Sequence, residues 1–316
     1  MRLRYQFELI QLIRNFFTKQ GFLDVLTPPA VENPGMEVHI HPFQLYSVLK
    51  GKPTPQFLHT SPEFCLKQLL ADPEEHLDKI FSLSYCFRDE PMSPIHRSQF
   101  IMLEWYRKNE RYEKIMDDVG NLIQNCLNSS LPVRKNLLNQ NMIRKTMQEL
   151  FYEFLGIDIL NYLNKEEIKN LLKNYPDIPV PTVDCDWDDY FFLLYLNKIE
   201  PHLKKYPLLL IYEFPAPLSA LSTLKQVDNR VCERFEVYIN GIELCNCFNE
   251  LTDLSEQKIR FQDQADSKKR LYGYELPTPE NFYQALERGL PPSAGVALGV
   301  ERLLTSLCEI ENPFFY

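Results

Sequence analysis

Two alternating segments joined by a long polar loop restrict this chain more than any other feature. Between residues 81 and 88, Phe81, Leu83, Tyr85 and Phe87 point one way, and Ser82, Ser84, Cys86 and Arg88 the other. Between residues 100 and 107, Phe100, Met102, Glu104 and Tyr106 share one face, and Ile101, Leu103, Trp105 and Arg107 the opposite one. Alternation with a period of two predicts paired, half-buried strands. The connection Asp89–Gln99 is too long for a tight hairpin and rich in turn residues. Loops of that kind are more often functional than idle.

The surrounding pattern fixes the class. Leu9, Ile10, Ile13, Phe16 and Phe17 recur at helical spacing, so residues 5–20 read as an amphipathic helix stopped by Gly21. Phe22–Pro29 reads as a short extended segment ended by prolines. Leu208–Tyr212 is an apolar run suited to a buried strand, and residues 235–239 and 242–248 flank Asn240-Gly241, a two-residue hairpin signal. Residues 254–272 read as a charged helix, and Gly295–Val300 as a strand running into a helix from Glu301. Hairpins with helices between them predict an α+β fold. The expected organisation is one domain over 1–316 with a mainly helical insertion around 108–206. Neither a G-x-x-x-x-G-K nor a G-x-G-x-x-G loop is present, so a nucleotide site here must be built another way.

Composition narrows the partners. The chain of 316 residues has 34 basic and 43 acidic side chains, a net charge of −9, which argues against a broad basic nucleic-acid surface. Its 8 cysteines are scattered without a disulfide framework, and the Cys245/Cys247 pair lacks further ligands at zinc spacing. With no signal peptide and no long apolar window, the expected compartment is the reducing cytoplasm, away from membranes.

Two constellations carry chemistry. The first is Phe87-Arg88-Asp89-Glu90, its loop, and Phe100–Tyr106: an arginine closing a strand can fork onto carboxylate or phosphate, and a phenylalanine across the hairpin can stack on a base. The second is Gly299-Val300-Glu301-Arg302, where a glycine admits a ligand close to the backbone and an arginine opens a helix beside it. Each alone reads as an ordinary strand pair or tight turn. In this order they resemble motifs 2 and 3 of the class II aminoacyl-tRNA synthetases, and the first helix with Gly21–Pro28 is similar to motif 1. Thr60-Ser61-Pro62-Glu63, Met102–Arg107 and Arg234–Asp253 resemble the lysyl branch.

That resemblance implies an antiparallel sheet flanked by helices that holds bent ATP and Mg2+. Arg88 would contact the α-phosphate and the substrate carboxylate, and Glu90 the adenine amino group. Phe100 and Arg302 would sandwich the adenine. Asp89, Arg97, Leu244 and Gly299 complete the expected nucleotide contacts, with Arg97 standing in for a charge that the family carries where this chain has Pro94. Glu243 and Glu250, with Glu236 as a third, would hold magnesium. Glu63 would take the amino group of the amino acid, beside Ser61 and Pro62; its alternative is a capping box with Thr60 at a helix start. Glu104, Tyr106, Asn246, Phe248, Glu250 and Ala297 would line the side-chain pocket. Strict alternation puts Glu243 on the face opposite Asn246, Phe248 and Glu250, so a bulge is required between 243 and 246.

With the motif 1 helix starting within the first ten residues, no room is expected for an anticodon-binding domain. The chain thus resembles the elongation factor P–(R)-β-lysine ligase family. Ser61 is that family's wording, where synthetases usually have alanine. Ala297 stands where synthetases usually have glycine, and its methyl would reshape the pocket towards a displaced amine, worth about 1–3 kcal/mol. The implied activity is ATP-dependent formation of a (R)-β-lysyl adenylate and transfer to a lysine of elongation factor P, by a homodimer, with tRNA not the acceptor. The alternatives are a minimal lysyl-tRNA synthetase-like enzyme using lysine with another acceptor, and a non-catalytic regulatory paralogue. The second is disfavoured because Arg88, Glu90, Glu243, Glu250 and Arg302 are all present. Departures from the family wording fall at Pro94, Arg97, Cys247 and Asn249.

Overall fold

In the computed structural model, residues 2–93, 96–181, 185–310 and 312–314 are described. The chain forms two compact units, one of 1–131 with 250–316, the other of 132–249. In chain order the first unit contributes α1 (Arg2–Lys19), β1 (Leu23–Asp24), β2 (Ala30–Val31), β3 (Gln44–Ser47), β4 (Lys52–Leu58), α2 (Glu63–Ala71), β5 (Lys79–Phe87), β6 (Gln99–Lys108) and α3 (Tyr112–Leu127). The second contributes β7 (Ile143–Thr146), α4 (Met147–Leu155), α5 (Lys165–Leu172), α6 (Trp187–Lys198), β8 (Leu208–Pro215), β9 (Leu224–Lys225), β10 (Asp228–Ile239) and β11 (Ile242–Asn249). The chain then returns to the first unit with α7 (Leu254–Tyr272), α8 (Glu280–Arg288), β12 (Ser293–Gly299) and α9 (Val300–Leu307). This is the expected α+β class, with hairpins and flanking helices.

In the first unit, β6 lies antiparallel to both β5 and β12, and β1 runs parallel to β5. Helix α1 ends as its sequence predicts: Gly21 adopts φ +79°, and Phe22 N donates back to Phe17 O at 3.1 Å. Its Phe17 ring packs on Phe22, Phe81 and Trp105 with centroids 5.0–5.1 Å away, covering the apolar face of β5 and β6. The opposite face is not left to water. Helices α2 and α8 pack on one another, Phe64 stacking on Phe282 at 4.5 Å, and α2 also contacts β6. Residues Ile101–Arg107 are therefore buried on both faces, whereas alternation alone predicts burial on one.

In the second unit, β8, β10 and β11 are antiparallel, with β7 parallel to β8 on one edge. Helix α4 starts with a capping box, Thr146 and Glu149 each bonding the other's backbone N–H, and stops at Gly156 with φ +69°. Phe151, Ile168, Tyr190, Phe191 and Leu194 pack with Leu209, Ile211 and Phe214 of β8 in one apolar core. Asn240 and Gly241 adopt φ +50° and +79°, the mirror-image turn that the hairpin signal implies. Among the described residues no helix is long and apolar enough to cross a membrane, and the cysteines are free.

Candidate active site

Strand register decides which side chains of the first unit meet. Glu104 pairs with Ser82 on one side and Ala297 on the other; Tyr106 pairs with Ile80 and Gly295; Met102 pairs with Ser84 and Gly299; Phe100 pairs with Cys86. Partners across a ladder point to the same face, so Phe100, Glu104, Tyr106, Ala297 and Gly299 share one side of the sheet. Glu104 and Tyr106 are buried, and the Tyr106 hydroxyl donates to Glu104 Oε2 at 3.3 Å. A β-carbon at Gly295 would lie 2.1 Å from Tyr106 Cε1, so the ring occupies space that any other residue would fill.

Helix α2 brings charge to this face. Lys67 is buried among apolar neighbours, with Nζ 2.6 Å from Glu63 Oε1 and 2.5 Å from Glu250 Oε2, and 5.7 Å from the Phe282 ring centroid. Burial, and then the charge of Glu63, hold the Glu104 carboxyl well above the ordinary range. Burial likewise raises Glu250, while Lys67 pulls it back. The capping alternative for Glu63 is not what the chain does: Thr60 Oγ1 donates to Pro34 O at 2.7 Å, Pro62 precedes the helix, and Glu63 N donates to Ser61 Oγ at 3.3 Å. The Glu63 carboxylate is left to Lys67.

Beyond the end of β5, the Arg88 guanidinium lies over the Phe100 ring at 5.2 Å, while Arg88 Nε donates to Thr60 O at 3.4 Å. Arg302, in the first turn of α9, places Nη2 2.8 Å from His96 Nε2. Burial and the Arg302 charge depress the His96 imidazole. Arg97 is held by its own loop and the chain's end: it donates to Ser93 O, to His96 O at 2.8 Å and to Asn312 Oδ1 at 3.4 Å, and stacks on Phe314 at 4.6 Å. Asp89 is exposed and Glu90 partly buried. Pro94 lies outside the described residues.

In the second unit the required bulge is present. Val237 pairs with Cys245 but Tyr238 with Glu243, so Leu244 is the extra residue. It turns Glu243 to the face of Glu236, Asn246 and Phe248. Arg234 organises that face, reaching Asn246 Oδ1 at 3.0 Å, Glu236 Oε1 at 2.5 Å and Leu218 O at 3.1 Å, with the Phe248 ring 5.6 Å from its guanidinium. Tyr195 donates to Tyr238, whose hydroxyl donates to Glu236 Oε2 at 2.6 Å. Burial, then Glu236, raise the Tyr238 phenol, and Glu243 adds to the effect. Arg234 thus answers the charge of Glu236 on the face that Glu243 shares.

Residues 1–312 match the family model for tRNA synthetases class II (D, K and N). The chain is 33% identical over 307 residues to elongation factor P–(R)-β-lysine ligase of Proteus mirabilis (strain HI4320), covering 96% of this chain and 90% of that one. It is 36% identical over 295 residues to the ligase of the same name from Klebsiella pneumoniae (strain 342), covering 92% and 86%. The ligase of that name from Edwardsiella ictaluri (strain 93-146) is 35% identical over 299 residues, covering 94% and 87%. The chain belongs to the elongation factor P–(R)-β-lysine ligase family, within the class II synthetases.

Within this family frame, motif reading missed four residues that hold the faces together. Lys67 follows Glu63 by one helical turn and reads as a surface ion pair; the signal against that reading is the apolar run Leu66, Leu69, Leu70 around it. Gly295 passes for a strand glycine until the Tyr106 ring is placed over it. His96 falls inside the loop whose wording departs from the family's. Arg234 sits beside the motif carboxylates, but its three acceptors become visible only once β10 and β11 pair.

Proposed function

We propose that this ligase activates (R)-β-lysine with ATP and transfers it to a lysine side chain of elongation factor P. The observation that carries this reading is the buried pair Glu104 and Glu250, with the partly buried Glu63 beside them, on a class II scaffold. Burying carboxylates is costly unless cations answer them, and Lys67 supplies one. A diamino acid supplies two more.

Arg88 would orient the substrate carboxylate against the α-phosphate, and Phe100 and Arg302 would take the adenine between them. Asp89, Glu90, Leu244 and Gly299 keep their expected nucleotide roles. Arg97 would first have to leave its loop carbonyls to reach a phosphate. Glu243 would hold magnesium, since hard oxygen donors are what it prefers, and Glu236 would join it only on release from Arg234 or Tyr238; when bound the ion would neutralise phosphate charge. Glu250 fits the amino acid rather than the metal, because Lys67 already answers its charge. Ser61, Pro62, Asn246, Phe248 and Ala297 are assigned to the substrate.

The substrate carboxylate oxygen attacks the α-phosphorus in line, pyrophosphate leaves, and an aminoacyl adenylate remains. The acceptor amine then attacks the acyl carbon, AMP leaves, an amide forms and one proton passes to solvent. The protein's contribution is positioning and charge neutralisation. We also assign the chain to the cytoplasm, acting as a single catalytic domain and a homodimer.

The test is exchange of labelled pyrophosphate into ATP with (R)-β-lysine, α-lysine and other amino acids. (R)-β-lysine is expected to support exchange best, and labelled β-lysine to pass to elongation factor P and not to tRNA. Absence of exchange with any amino acid would refute the enzymatic reading, and preference for α-lysine would refute the role given to Ala297. Arg88→Ala should lower exchange at least 100-fold, as loss of a charge-stabilising donor does; retained exchange would remove Arg88 from the phosphate.

A further inference from the structure

The family resemblance gives the amine near the substrate's reacting carboxylate to Glu63 alone, yet Glu63 opens onto a cavity whose other polar walls have no role so far. The cavity measures about 10 Å3, room for one water-sized group, and Gly35, Glu37, His59, Ser61 and Glu63 line it. His59, just past the end of β4, is 1% exposed. Its Nε2 lies 2.7 Å from Tyr85 O and donates to that carbonyl, so Nδ1 is a bare acceptor. That atom is buried and takes no hydrogen bond among the described residues. Burial lowers the imidazole, which keeps Nδ1 unprotonated.

Glu37 reaches the same cavity because position 35 has no side chain. Gly35 adopts φ +135°, and a β-carbon there would stand 2.5 Å from Glu37 Oε2. The cations whose charge acts on Glu37 are aimed at backbone carbonyls: Arg88 Nε donates to Thr60 O at 3.4 Å, and Lys268 Nζ to Ile40 O at 2.8 Å. Lys67 occupies only Oε1 of Glu63. The walls thus present acceptors from three places in the fold: Glu37 between β2 and β3, His59 after β4, and Glu63 of α2. A water brings two protons and no charge. An ammonium brings three and answers the carboxylates.

Resting on the lysine-type reading above, we propose that Glu37 and His59 are specificity-determining residues: with Glu63 they take, in this cavity, a protonated amine borne close to the substrate's carboxylate. The placement fits that group. Arg88, which would hold the carboxylate, is bonded to the carbonyl of Thr60, the residue between His59 and Ser61, and its charge is felt at Glu37. An amine on the second carbon from the carboxylate cannot lie far from Arg88, and these acceptors stand beside it. Glu37 and His59 lie outside the wording that suggested the family, so no motif announces them.

The test is pyrophosphate exchange by the full-length enzyme with (R)-β-lysine and with 6-aminohexanoic acid, the same carbon chain without the amine near the carboxylate. In the wild type kcat/KM should be about 100-fold or more lower for the analogue, because its binding leaves buried acceptors unpaired. Glu37→Gln should raise KM for (R)-β-lysine about tenfold or more, with KM for ATP within twofold of wild type. The analogue's kcat/KM, or its inhibition constant against (R)-β-lysine, should change less than threefold. His59→Phe, which keeps a flat ring but has no acceptor, should act in the same direction and on the same substrate. Equal losses for both substrates, or equal rises in KM for ATP and amino acid, would mark the two residues as structural and overturn the inference. An unchanged KM for (R)-β-lysine in Glu37→Gln would also overturn it while leaving the substrate reading intact, since Glu63 would then hold the amine alone. Wild-type enzyme that supports no exchange with any amino acid would sink both. Should His59→Phe fail to fold, or the analogue fail to bind, the split between the two KM values in Glu37→Gln decides the matter.

Discussion

Tyr106 can reach Glu104 because position 295 has no side chain. The ring lies where a β-carbon would stand, 2.1 Å from Cε1, and the nearest atoms belong to a buried aromatic that cannot swing into solvent. Gly295→Ala should therefore push Tyr106 off Glu104. Overpacking of this kind costs about 1–3 kcal/mol. The expected outcome is a lowered unfolding midpoint and an amino acid KM raised about tenfold or more, with KM for ATP little changed. An unaltered amino acid KM would show that the Tyr106 contact does not serve the substrate. Gly299 makes the contrast: a β-carbon there meets Arg302 at 3.5 Å or more, an ordinary contact. The charged residues of this face, Glu63, Glu104 and Glu250, are legible in the sequence because each sits in a motif with fixed spacing. Lys67 and Gly295 are not, because their significance lies in distances across elements that no local pattern records.

At the scale of elements, the β11 bulge is a case where sequence logic reaches a backbone irregularity. Asking that Glu243, Asn246 and Phe248 share a face forces one extra residue, and Leu244 is that residue. The extents of α1 and α7 are likewise close to what apolar spacing and the glycines Gly21 and Gly273 dictate. The second unit is less legible because β7 joins β8 in parallel, a pairing between distant segments with no turn to announce it. Another hidden join is Glu301 at the start of α9. Its carboxylate accepts from Ile101 N at 3.0 and 3.1 Å and from Gln6 Nε2 at 3.1 Å, tying α9 to β6 and α1. Burial pushes Glu301 up to about 7 despite these donors. The unfolded chain, with an ordinary value of about 4.3, loses this proton first. The stability that this group contributes is thus complete below about pH 4.3 and lost as pH rises through about 7, at most about 4 kcal/mol. Glu301→Gln keeps an acceptor for Ile101 N and cannot titrate. Urea unfolding from pH 4.5 to 8 should show wild type losing stability relative to the variant across that window; parallel curves would place the shift elsewhere.

At the scale of the whole molecule, the first unit carries an apolar surface that its own fold does not cover. Phe7 of α1 is 55% exposed and Tyr85 of β5 49%. With Ile10, Leu83 and Ile101 they line a groove of about 350 Å3. Leu23 and Leu26, which follow α1, are also exposed. Contiguous apolar surface on a folded chain marks an interaction site more often than chance. The segment that carries it is the one resembling motif 1, and a homodimer is what the family resemblance implies, so a second copy of the chain is the expected occupant. Stable interfaces bury roughly 1,200–2,000 Å2 in total and lose affinity steeply when a charge is placed in their apolar centre. Light scattering at micromolar concentration should therefore give twice the chain mass of 37.4 kDa for wild type. Because Phe7 and Tyr85 are exposed within one subunit, the double variant Phe7→Asp, Tyr85→Asp should keep its secondary structure and unfold cooperatively while running at the mass of one chain. A wild-type monomer would contradict the dimer, and a double variant that remains dimeric would move the interface away from α1.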